Sequence, residues 1–176
     1  FGGLLVLDEA YIEFSSGKSW LDSLLMYPNL IVTRTFSKAY GMAGIRLGIC
    51  WASTEIISLL NRIKPPYNVN ELTQKAALDR LLDIKSVSEQ LTTILEQRAS
   101  LIDQLKKIPF VKKVFPTDAN FILVKVDDAG SRYQKILDRG IVIRNRSSLP
   151  LCENTLRFTV GTVEENKELI EVLKSI

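Results

Sequence analysis

The chain opens on short apolar segments that do not alternate with polar residues. Leu4-Leu5-Val6-Leu7 ends at Asp8, Leu30-Ile31-Val32 runs on towards Phe36, and a third segment covers residues 47–52. Unbroken runs of this length suit parallel strands covered on both faces, so they predict an α/β sheet. Ser53 then offers an N-cap with Glu55 in the first turn, and Ile56, Ile57, Leu59, Leu60 and Ile63 form a helical stripe that stops at Pro65-Pro66. A second helix is expected from near Asn70, carrying Leu72, Ala76, Leu78, Leu81 and Leu82. Over residues 85–107, Val87, Leu91, Ile94, Leu95, Leu101, Ile102 and Leu105 recur at intervals of three and four, which predicts one long amphipathic helix ending before Pro109.

Beyond Pro109 the pattern changes. Residues 111–115 and 120–126 read as strands, 129–139 as a helix closed by Gly140, 141–144 and 156–160 as strands, and 163–176 as a last helix. That β-β-α-β-β-α order describes a small α+β domain. The three strands at the front are too few for a stable doubly wound sheet. The expected organisation is therefore an incomplete large-domain α/β sheet over residues 1–84, a connecting helix over 85–108 and a small α+β domain over 109–176.

Composition narrows the chemistry. At 46% hydrophobic and 24% charged residues the chain can bury a core, and its net charge of +3 is interspersed, with no basic stripe for nucleic acid. No apolar run approaches the roughly 20 residues that a membrane span needs. Cys50 and Cys152 lack CxxC spacing and sit among apolar neighbours, as free buried thiols do in a reducing cytoplasm. There is no histidine, which removes Ser-His-Asp and Cys-His catalysis and the usual zinc ligand sets. Proton transfer then falls to Lys, Tyr, Asp, Glu or a cofactor, and no metal site is expected. Phe1-Gly2-Gly3, without an initiator Met or a charged leader, runs straight into a strand, so no signal peptide and a start within a longer protein are expected.

Thr35-Phe36-Ser37-Lys38-Ala39-Tyr40-Gly41-Met42-Ala43-Gly44 follows the second strand and leads to Arg46 before the third. A Schiff-base lysine must be unprotonated and held against an aldehyde, while a cofactor phosphate takes hydroxyl donors, backbone N–H groups and a cation. Ser37, Lys38 and Arg46 supply those groups. Asp8-Glu9-Ala10-Tyr11 lies at a strand end, where open α/β sheets place ligands. A carboxylate there, Asp8, can keep a pyridine nitrogen protonated, although capping a turn is its ordinary alternative. Further on, Asn120, Arg144 and Arg157 stand at or beside strands. Arg157 alternates with Leu156, Phe158 and Val160, so it either faces solvent or offers a bidentate fork to a carboxylate or phosphate.

The lysine string resembles the signature of the type I pyridoxal-phosphate (PLP) aminotransferases. The resemblance implies that Lys38 holds PLP as a Schiff base, that Arg46 binds its phosphate with Ser37, and that Tyr11 hydrogen-bonds its 3-oxygen. With the DEAY, PTDANFILV, GIVIRN and LRFTVGT strings, the chain is similar in family order to the histidinol-phosphate aminotransferases. That similarity implies amino transfer from glutamate to imidazole acetol phosphate, giving histidinol phosphate and 2-oxoglutarate, in a cytoplasmic homodimer of histidine biosynthesis. Arg157 is then the site for the glutamate carboxylate or the substrate phosphate, with Arg144 assisting and Asn120 as a further substrate-site candidate. The family's glycine-rich phosphate cradle and ring-stacking aromatic fall before Phe1, which implies that these residues alone are inactive. Aromatic aminotransferases and threonine-phosphate decarboxylases share the lysine string and are the nearest alternatives, and a catalytically silent folding or dimer-interface module is another.

Overall fold

A computed structural model describes residues 2–176. The chain forms two compact units, one ending at Glu89 and the other spanning Gln90–Ile176, so the division falls inside a single helix.

In the first unit, β1 (Leu5–Asp8), β2 (Leu30–Thr35) and β3 (Gly48–Trp51) form a sheet in the order β1-β2-β3. β1 runs parallel to β2 with Asp8 opposite Thr33, whereas β3 is antiparallel with Thr35 opposite Gly48. The expectation of three parallel strands is thus corrected at β3. The link from β2 holds only a 3-10 turn at Ala43–Ile45, and without a helical crossover the chain returns beside β2 in the opposite direction. Leu30, Ile31 and Val32 are buried, but Leu4, Leu5 and Val6 are exposed, so β1 is not covered on both faces as its apolar run predicts.

Helix α1 (Thr54–Ile63) begins where the Ser53 hydroxyl accepts the Ile56 N–H at 3.5 Å, and α2 (Glu71–Leu82) where Asn70 accepts the Thr73 N–H at 2.9 Å. Both start as the sequence predicts. The leucines of α2 behave differently: Leu72, Leu78, Leu81 and Leu82 are exposed, while Ala77 is buried. This helix rests on its unit through the narrow face of Thr73, Ala77 and Arg80, which the helical repeat brings into one row.

Helix α3 (Ile84–Leu105) runs across the division, with Val87 buried in the first unit and Leu101 and Leu105 in the second. There follow β4 (Val111–Val114), β5 (Phe121–Val126), α4 (Ala129–Leu137), β6 (Arg144–Asn145), β7 (Thr155–Thr159) and α5 (Val163–Ser175), in the expected order. The four strands form an antiparallel sheet in the order β4-β5-β7-β6. Ile122, Val124, Val126, Leu156 and Phe158 face inward against Leu101, Leu105, Ile136, Leu169 and Leu173. Fully burying one such side chain is worth about 1.5–3 kcal/mol, and this core holds the second unit together.

The strand expected over residues 141–144 is present only at Arg144–Asn145. Gly140, at φ +83°, ends α4, and Ile141 N–H still bonds the Ile136 carbonyl at 3.3 Å, so this stretch dips Ile143 into the core before it can pair. Cys50 and Cys152 are free, as expected, but half-buried rather than buried. Among the described residues no helix is long and apolar enough to cross a membrane.

Candidate functional site

Asp8 closes β1 and is exposed at the carboxyl end of the parallel pair. Its Oδ1 accepts the Ala10 N–H at 3.1 Å and the Thr33 hydroxyl at 3.4 Å, so it caps a turn while standing at the rim. Tyr11 is half-buried, and Lys38 Nζ lies 5.3 Å from its ring centroid. The lysine rides on a tight turn in which Gly41 N–H bonds the Lys38 carbonyl at 3.0 Å and Met42 N–H bonds the Phe36 carbonyl at 2.9 Å. Ser37, in the same turn, is half-buried, and its backbone N–H donates to the Thr35 hydroxyl at 3.1 Å.

Arg46 adopts the left-handed conformation, φ 55° and ψ 46°, at the end of the following 3-10 turn. For a residue with a Cβ this costs roughly 1–2 kcal/mol, so the fold must hold Arg46 in place at that point of the loop. The Arg46 guanidinium is exposed and donates from Nη1 to the Ala43 carbonyl at 2.8 Å.

The residue that sequence reasoning passed over is Glu9. Only 8% exposed, it points away from the rim and accepts the Ser19 hydroxyl at 2.8 Å, the Trp20 N–H at 2.7 Å and Arg34 Nε at 3.1 Å. Arg34 also donates to Ser19 Oγ at 2.7 Å, reaches Glu13 at 3.7 Å and stacks on the Trp51 ring at 5.7 Å. Burial pushes the Glu9 carboxyl up, but Trp20, Ser19 and Arg34 outweigh it and hold it below its ordinary value. Glu13 goes the other way: burial raises it, and its own backbone N–H and Arg34 only partly offset this. Because Glu9 N–H also bonds the Thr33 carbonyl at 2.8 Å, this network locks from behind the same register that places Asp8 beside Thr33. An acid directly after Asp8 and an arginine near the end of the strand that opens with the apolar run Leu30-Ile31-Val32 were the available signals.

In the second unit, Arg144 and Arg157 are opposite each other in the β6–β7 pair, and Arg157 also faces Leu123 across β5. Opposed residues share one sheet face, where two like charges repel unless an anion lies between them. Arg157 does not simply point to solvent: it is half-buried, with its guanidinium 4.9 Å from the Phe121 ring centroid. Asn120 precedes Phe121, and its carbonyl accepts the Val160 N–H at 2.9 Å. Asp8, Tyr11, Ser37, Lys38 and Arg46 thus lie in the first unit, and Asn120, Arg144 and Arg157 in the second.

An amine over a phenol, a carboxylate at a strand end and a strained arginine in one loop make a wall suited to an anionic, carbonyl-bearing cofactor. The chain belongs to the aminotransferase class I and II family, whose model matches residues 1–173. The histidinol-phosphate aminotransferase of Flavobacterium johnsoniae is 59% identical over 174 residues, covering 99% of this chain and 50% of that protein. The crystal structure of the same enzyme from Clostridium acetobutylicum superposes with a TM-score of 0.90 at 30% identity, covering 98% of this chain and 53% of that one. The Sinorhizobium meliloti enzyme, solved in complex with pyridoxal-5'-phosphate, gives a TM-score of 0.83 at 28% identity over 98% of this chain and 49% of that one. The chain spans about half the length of the curated relatives it matches.

Proposed function

We infer that this chain works as the carboxy-terminal half of a PLP-dependent histidinol-phosphate aminotransferase, a cytoplasmic homodimer that moves the amino group of glutamate onto imidazole acetol phosphate. The observation that carries the reading is Lys38 Nζ held over Tyr11, in the loop that also bears Ser37 and Arg46. Residues 1–84 are then a partial cofactor-binding domain, 85–108 a connecting helix and 109–176 a small substrate-side domain.

The donor set suits PLP: an amine for the aldehyde, a carboxylate for the ring nitrogen, a phenol for the 3-oxygen, and a hydroxyl with a guanidinium for the phosphate. Bound PLP supplies an electron-withdrawing ring that acidifies the Cα–H of an amino acid. Asp8 keeps the ring nitrogen protonated, and Tyr11 orients the ring through its 3-oxygen. Ser37 and Arg46 hold the phosphate. Lys38 would hold PLP through its amine, and the same amine would serve as the base that takes the Cα proton. Arg157, with Arg144 beside it, binds the anionic end of each substrate, and Asn120 lines the same region.

The test is an assay of the full-length protein with glutamate, imidazole acetol phosphate and PLP. Formation of 2-oxoglutarate and histidinol phosphate, abolished by Lys38→Ala, supports the reading. Transfer to phenylpyruvate but not to imidazole acetol phosphate overturns the substrate assignment.

A further inference from the structure

The loop that carries Lys38 is held from outside by α2. Arg80 Nε donates to the Tyr40 carbonyl at 3.0 Å, inside the turn closed by the Lys38–Gly41 bond. Two helical turns earlier, the Thr73 hydroxyl donates to the Ile45 carbonyl at 3.4 Å, next to the strained Arg46. Ala77 lies between them and is buried, and its small side chain lets the helix come close to the loop. This row is the face that α2 presents to its unit, while its leucines stay exposed.

The Arg80 side chain is itself only 18% exposed and is fixed at its far end, with Nη1 3.4 Å from Ser86 Oγ and 3.7 Å from Asp83. Its position is thus set by the end of α2 and the start of α3. A guanidinium has donors on separate nitrogens in a rigid fork, so it can hold a carbonyl with one edge while the other is anchored. The turn between Phe36 and Met42 is small-residue-rich, and Gly41 within it has φ +69°. An external clamp on such a turn limits where the lysine's Cα stands, and with it where Nζ can reach.

We propose that Arg80 is a positioning residue for Lys38: by holding the Tyr40 carbonyl it sets the turn that presents the lysine amine to the cofactor. This rests on the assignment of Lys38 as the cofactor lysine. Arg80 itself touches neither cofactor nor substrate in this account. Its loss displaces the amine without removing any chemical group.

The experiment uses the full-length protein loaded with PLP, with Arg80→Met, Arg80→Lys and Lys38→Ala compared with the unsubstituted protein. Three readouts are taken: the pH midpoint of the lysine-bound cofactor's visible absorbance, kcat and KM for glutamate, and the melting temperature without cofactor. Misplacement of a reacting group by about 1 Å costs on the order of 10²-fold in rate, so both Arg80 variants should lose kcat on that scale with KM changed by less than about threefold. The absorbance midpoint should shift in both. Arg80→Lys, which keeps the stem and charge but not the fork, serves where Arg80→Met does not fold. A fall in melting temperature with the absorbance midpoint and kcat unchanged overturns the proposal and leaves Arg80 a structural residue. A pyridoxyl group that borohydride still fixes to Lys38→Ala instead refutes the lysine assignment, which separates the two failures.

Discussion

Replacing Glu9 with glutamine removes the charge from a carboxylate that accepts three hydrogen bonds, from Ser19, Trp20 and Arg34. Glutamine keeps the shape and can still accept one or two of them. Breaking one side of a buried ion pair costs about 3–5 kcal/mol, because the partner's charge is left in a poorly solvated place. Arg34 is 23% exposed and keeps Ser19, Glu13 and the Trp51 face, so the lower end of that range, about 3 kcal/mol, applies here. The chain has two tryptophans, Trp20 and Trp51, and both sit in this network, so fluorescence during urea unfolding reports on the first unit alone. With a urea slope of about 2 kcal/mol per molar, the midpoint should fall by roughly 1.5 M.

A double-mutant cycle with Arg34→Met should return a coupling of about 2 kcal/mol. Additive effects, or a midpoint shift below about 0.3 M, would falsify the claim that this pair holds the β1–β2 register. The pH dependence has a definite sign. Glu9 sits below its ordinary 4.5, so its contribution is complete above about pH 4.5 and is lost as pH falls through the folded value. Glu13 is raised above 4.5, so it favours the folded state at low pH, and that benefit is lost as pH rises through its folded value. Glu9→Gln should remove the acid-side loss of stability, and Glu13→Gln the loss on the less acidic side.

Three further outcomes follow from named contacts. A Cβ at Gly161 would stand 2.5 Å from Glu165 Oε2 and 3.0 Å from Glu165 Cβ, so Gly161→Ala should break the Thr162–Glu165 capping box of α5. The expected cost is about 1–2 kcal/mol by thermal unfolding followed by circular dichroism, whereas Gly130→Ala in α4, whose Cβ would meet only Asp128 Oδ1 at an ordinary 3.4 Å, should be neutral or stabilising. Arg157→Lys keeps the charge but loses the fork, so kcat/KM for glutamate and for histidinol phosphate in the full-length enzyme should fall together, by about tenfold or more. A loss confined to one substrate would mean separate anion sites. Asp8→Asn should retain some PLP binding and cut turnover by orders of magnitude, and near-normal turnover would refute its role beside the ring nitrogen.

Much of the local structure was legible because local signals sufficed. Ser53 and Asn70 announce α1 and α2, the apolar run from Phe121 to Val124 marks β5, and the alternation from Leu156 to Val160 marks β7 as a strand with one buried face. What the sequence hid depends on distant partners. The direction of β3 follows from the absence of a crossover helix, and the shortening of β6 follows from Ile143 being drawn into the core. The α2 leucines look like a core stripe, yet the face in use is the small Ala77 between Thr73 and Arg80, two polar side chains whose targets are carbonyls with no signature of their own. Within the candidate site, Lys38, Ser37 and Arg46 were legible as a compact string. Glu9 was not, because its partners come from two other places in the chain, the Ser19-Trp20 pair and Arg34.

The most direct test of the account is chemical. The full-length protein is loaded with PLP, reduced with borohydride, digested and mapped by mass spectrometry. The pyridoxyl group should be found on the peptide containing Lys38, and the label should disappear in Lys38→Ala. Label on Lys18 or Lys64, or label that persists when Lys38 is replaced, contradicts the assignment on which the proposed function rests.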